Sequence, residues 1–144
     1  MSKLDDLKAA LKREAMRRAV RDELERRHDD EYRHGAYVDA RSAADRIADQ
    51  LRGSGAEVSC ETDHEQATIV VTFEPHRARS SPKLTIRNET TEDGSNSVVL
   101  EENDWVSVGF SERWTTLMPV ARATRETIED AIVEWMESVR ERVV

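Results

Sequence analysis

The chain has 144 residues, with 22 Lys or Arg against 30 Asp or Glu and a single cysteine, Cys60. That length fits one domain able to bury a core without disulfides or metal, and one cysteine excludes an intramolecular disulfide. Its longest apolar runs, Ile69-Val70-Val71 and Val98-Val99-Leu100, are too short for a membrane span or a signal-peptide core, which predicts a soluble, intracellular protein.

Charge is unevenly placed. The first 27 residues hold nine Lys or Arg against six Asp or Glu, and the remaining 117 hold thirteen against twenty-four, so a basic segment is joined to an acidic body. Such a split concerns what a protein touches more than what it catalyses. Arginine outnumbers lysine eighteen to four. An acidic surface of this kind keeps a protein solvated in high salt, as in a halophile; a GC-rich genome would equally favour arginine.

Residues 3–33 contain no Gly or Pro and are rich in Ala, Leu, Arg, Lys and Glu, which predicts a long helix capped by Ser2, with Asp5 and Asp6 in its first turn. Its apolar residues do not form one stripe. Leu4, Leu7, Leu11 and Ala15 share a face, while Met16, Val20 and Leu24 recur on a face about 160° away at 3.6 residues per turn. Either the helix bends near Ala15 or its two halves dock on different bodies. His34-Gly35 ends it, and Tyr37, Ala40, Ala44, Ile47 and Leu51 mark one face of a second helix stopped by Gly53-Ser54-Gly55.

From Glu57 to Trp114 the period changes to two. Val58, Cys60 and Thr62; Ala67, Ile69, Val71 and Phe73; Leu84 and Ile86; Val98 and Leu100; and Val106, Val108 and Phe110 predict five short strands. Turns are expected at Asp63-His64-Glu65, Pro75 to Pro82, Glu92 to Asn96 and Glu101 to Asp104, and short connections favour an antiparallel meander. Leu117-Met118-Pro119-Val120 is read as an apolar connecting segment. A last helix beginning near Thr124 carries the cleanest amphipathic stripe, Ile128, Ala131, Ile132, Trp135, Met136, Val139 and Val143, and should cover the sheet.

The residues offer no catalytic signature. His28 and His34 are six apart, about 120° around a helix and off the i, i+4 spacing that shares a zinc ion. Cys60, Asp63, His64 and His76 would converge only if the first hairpin folded tightly, and alternation turns Cys60 towards the core. Gly109-Phe110-Ser111-Glu112-Arg113 is not a nucleophile elbow, and five scattered glycines form no phosphate loop. No catalytic residue, metal or cofactor is therefore expected, although an enzyme built from scattered carboxylates would leave no linear signature.

The basic stretch supplies the candidate site. Lys12, Arg13, Arg17, Arg18 and Arg21 are expected to bind a partner, together with Trp105, which is out of phase with Val106, Val108 and Phe110 and so points to the other sheet face, with Val99. The stretch lacks aromatics for stacking on nucleic-acid bases, and the acidic remainder opposes a polyanion. It also lacks the Trp or Phe of a membrane-surface helix. An acidic protein surface fits better, including that of another copy. The competing view is a solvated face laced by pairs such as Glu14 with Arg18 and Asp22 with Arg26.

The expected fold is α+β: an N-terminal helix over residues 1–35, free to protrude, and a domain over 36–144 in which a second helix, a five-stranded antiparallel meander and a C-terminal helix pack together. The expected function is non-enzymatic assembly into a homo- or hetero-oligomer, such as a ring, with other protein subunits as partners. In size and element order the chain is similar to head-to-tail connectors and tail-completion proteins of tailed viruses, without a shared motif. That likeness implies a virion or cytoplasmic location, and a halophilic virus would account for the composition. The alternative is a small acidic inhibitor acting on a basic, nucleic-acid-binding partner.

Overall fold

A computed structural model describes residues 2–75, 82–103 and 114–143. Its elements are α1 (Lys3–His34), α2 (Ala36–Leu51), β1 (Glu57–Asp63), β2 (Thr68–Glu74), β3 (Lys83–Thr90), β4 (Asn96–Asn103), β5 (Thr115–Pro119), a short 3₁₀ turn (Val120–Arg122) and α3 (Arg125–Val143). The five strands lie in chain order as an antiparallel sheet, the α+β meander that the alternation predicts. No helix among the described residues is long and apolar enough to cross a membrane.

The fifth described strand lies where a connecting segment is expected. Thr115–Pro119 pairs with β4, setting Val98 against Met118 and Leu100 against Thr116, so the segment read as a connection is an edge strand. Its single apolar pair, Leu117 and Met118, gives too weak an alternation to read as a strand from sequence. Val106, Val108, Phe110 and Trp105 lie outside the described residues. β4 also runs through Glu101 to Asn103, where a turn is expected, and Glu102 is buried in phase with Val98 and Leu100.

One face of the sheet carries Ile69, Val71, Phe73, Leu84, Ile86, Val98 and Leu100 into the core. Against it pack the stripe of α2 and that of α3, whose Ile128, Ile132, Trp135 and Val139 are fully or almost fully buried. Alanines at positions 40, 43 and 44 let α2 approach closely. Thr124 caps α3, its hydroxyl accepting from the Thr127 amide at 3.2 Å. Trp135 donates from Nε1 to Glu102 at 3.1 Å, which gives a buried carboxylate a polar contact inside the apolar layer.

Only Gly35 separates α1 from α2. The end of α1 belongs to the core: Tyr32 is fully buried, with its ring centroid 5.9 Å from that of Tyr37. Arg33 donates to the carbonyls of His64 and Glu65 in the β1–β2 turn. Its guanidinium is held charged above its ordinary value by the hydrogen bond to Asp29 at 2.6 Å.

Candidate functional site

Two fastenings hold α1 across one end of the sheet, where the β1–β2 and β3–β4 turns both lie. Arg33 grips the first turn. The second is held by two residues of α1: Arg21 donates to the carbonyls of Thr90 and Thr91, each at 3.1 Å; the His28 ring meets the Thr90 hydroxyl at 2.9 Å, and the His28 carbonyl accepts from Asn96 at 3.1 Å. Leu24 closes over Gly94, whose φ of +86° suits the tight Thr91–Ser95 turn and admits a side chain only with strain.

The helix overhangs what it is fastened to. Its 32 residues reach about 48 Å at 1.5 Å per residue, whereas five strands set side by side span about 19 Å. Residues 3–20 are the overhang, an arm about 27 Å long. Every residue in it is exposed except the half-buried Ala10. Leu4 (64%), Leu7 (54%), Leu11 (51%), Met16 (71%) and Val20 (70%) all keep more than half their surface in solvent.

Those apolar side chains lie on two nearly opposite faces, as their spacing predicts, and the fastened residues Arg21, His28 and Tyr32 occupy a third direction between them. Along the overhang neither apolar face is covered by the body, although Leu24, in line with Met16 and Val20, closes over Gly94 farther along the helix. The helix does not break at Ala15: α1 is continuous, so the split pattern reflects two unfilled contacts. Within α1, burial sets in from Arg21.

The expected partner-binding residues divide into three groups. Lys12, Arg13, Arg17 and Arg18 are exposed and have no ion-pair partner among the described residues. Arg21 is engaged within its own chain, by the β3–β4 turn and by Glu25 at 3.2 Å. Trp105 lies outside the described residues. The anticipated Glu14–Arg18 and Asp22–Arg26 pairs do not form among the described residues; Arg26 and Arg27 both meet Glu23 instead, and ion pairing within α1 begins only at Arg21. Thr90, Asn96 and the histidine at 28, which fasten the helix, are single polar residues with no sequence pattern to announce a long-range bond.

The candidate chemistry stays dispersed. No three His, Cys, Asp or Glu side chains among the described residues are grouped to hold a metal ion. His64 accepts or donates with the Tyr37 hydroxyl at 3.0 Å, beneath which the ring stacks edge-on. Cys60 is half-buried, its thiol directed to the Ala44 carbonyl at 3.6 Å, and burial pushes its pKa up to about 11. A thiol so placed packs and is a poor nucleophile at neutral pH. On the sheet face away from the helices, Val99 is buried beside Leu117, which is 52% exposed on the β5 edge.

Comparison of the chain with protein-family models, with curated proteins and with solved structures returns no match.

Proposed function

We propose that the protein is a non-enzymatic assembly subunit whose N-terminal arm engages an acidic protein surface on a neighbouring subunit. The observation that carries this is the bare arm: a helical overhang with five large apolar side chains exposed and six cations beside them that have no ion-pair partner among the described residues. A helix of this length is marginal alone in water, and apolar side chains ranged along it gain free energy only when something covers them. Phosphate binding would use the cations but leave the leucines uncovered, and the arm has no aromatic residue to stack on a base. A membrane-surface helix needs its apolar residues on one face, whereas these occupy two.

The charge balance agrees with a protein partner. From Lys3 to Arg21 there are seven Lys or Arg against three Asp or Glu, and the rest of the chain has fifteen against twenty-seven. A copy of the chain thus carries both members of a complementary pair. A connector or tail-completion role in the virion of a halophilic tailed virus is the specific form of assembly that the size, element order and composition favour.

Light scattering of the full chain at low and at molar salt tests the reading. A discrete multimer is expected, and changing Arg13, Arg17 and Arg18 to Gln should weaken it without loss of helical circular dichroism, because Gln keeps helix propensity. A monomer under all conditions would overturn the reading in favour of the acidic inhibitor. DNA or RNA affinity whose salt slope shrinks by up to about three units in the same variant would instead assign the arm to phosphates.

A further inference from the structure

At the end of the sheet opposite the fastenings of α1, where β1 begins and β2 ends, an open groove of about 260 Å³ lies between α2 and α3. Its apolar surface comes from Ile47, Leu51, Ala56, Phe73, Val133 and Met136. Ile47, Phe73 and Met136 are buried, while Val133 is 41% exposed. Gln50, Glu129, Glu137 and Arg140 also border the groove; Glu129 meets Arg46 at 3.5 Å, and Glu137 and Arg140 have no ion-pair partner among the described residues.

We infer that this groove receives the Leu4–Leu7–Leu11 face of a second copy of the chain, an inference that rests on the assembly reading above. Three observations select that occupant. The stripe is compact, its seven-residue span covering about 10 Å of helix, and at 100° per residue Lys3 and Lys8 flank it on either side. Charge then distinguishes the groove from the other surface a second copy offers. α2 and α3 together hold nine Asp or Glu against five Arg, a balance of -4, facing an arm that holds six Lys or Arg against three Asp or Glu over residues 3–20, a balance of +3. Two arms laid together would instead set +3 against +3.

Topology makes the contact intermolecular. Within one chain the arm leaves from the end of the sheet remote from the groove, and a helix with no Gly or Pro from Lys3 to His34 cannot turn back without breaking. Arm and groove are different patches at different ends, so the contact is heterologous: each subunit gives an arm and takes one, closing into a ring or continuing as a filament.

The test uses full-length chains carrying Cys60→Ser, which keeps a donor for the Ala44 carbonyl. One chain adds Leu7→Cys and the other Val133→Cys; mixed and oxidised, they should give a disulfide-linked heterodimer. Separately, Val133→Arg alters an exposed side chain, so the melting temperature of the dissociated subunit should hold while association weakens about tenfold or more from cation facing cation. A multimer that survives Val133→Arg at parental affinity, or cross-links only through Leu7→Cys to itself, overturns the groove and leaves assembly standing. A parent chain that is monomeric throughout overturns both.

Discussion

The arm of α1 and the whole of α2 are helices of similar length, built from good helix formers and separated by little more than the fastened half of α1, yet one is bare and the other sits in the core. In α2 the residues Tyr37, Ala40, Ala44 and Ile47 recur on one face, and all are buried. The arm has larger apolar side chains, Leu, Met and Val, and none is buried, because they are divided between two faces. Hydrophobicity alone does not dock a helix; a single stripe does, since only one face can meet one core. The divided pattern leaves two faces to be covered by something else.

The largest way to break that contrast lies in the body. Ile132 is fully buried on the sheet-facing side of α3. Ile132→Asp would bury a carboxylate without a partner and cost several kcal/mol, a large part of the stability of an ordinary domain. Thermal unfolding should show a collapsed melting temperature, whereas the same change at Leu7, exposed in the arm, should leave that of the dissociated chain, measured under dilute conditions, close to the parent. Equal effects at the two positions would erase the distinction between arm and body.

How far each region can be read from sequence follows from the same contrast. The stripes of α2 and α3 and the alternation of β2, with Ile69, Val71 and Phe73 buried, are dense local patterns that one burying face imposes, and they are legible. β5 is not, because Thr-Thr-Leu-Met-Pro pairs among the described residues only with β4 and needs little alternation. Glu102 reads as a turn residue, since nothing local announces that Trp135, 33 positions on, offers it an N–H. Within the candidate site, the basic character and divided faces of the arm are visible in the sequence. The place where the arm ends is not, because Arg21 looks like Arg17 and Arg18 until Thr90 and Thr91 are folded beside it.

That boundary can be sharpened with a pair of substitutions. Arg21→Ala removes two hydrogen bonds from a charged donor to backbone carbonyls at a partly exposed site, and about 1–2 kcal/mol of stability should go with them. Arg17→Ala, four residues earlier on the same helix, should stay within about 0.5 kcal/mol, as for a surface position with no partner. Denaturant midpoints at constant m-value measure both. If Arg17 proved as costly as Arg21, the arm would be packed on its own body and the exposed surface would be lost as a docking element.

The smallest effect concerns alkali, and it should be confined to the body. Burial raises the Cys60 pKa from 9.0 to about 11, and burial also pushes the Tyr32 phenol well above its ordinary value of 10.0. Both groups hold their proton more tightly folded than unfolded, so the stability they confer is fully present below the unfolded values and declines as pH rises past 9 for Cys60 and past 10 for Tyr32. Cys60→Ala should flatten the decline between those values, and Tyr32→Phe should flatten it above them. Tyr32→Phe also removes a buried hydroxyl with no hydrogen-bond partner among the described residues, so at neutral pH it should be neutral or stabilise by up to about 1 kcal/mol. The Arg13, Arg17 and Arg18 to Gln variant touches neither group, and its pH profile should overlay that of the parent. An altered alkaline profile in that variant would mean that the arm cations act on the core, which a helix standing clear of its own body cannot do.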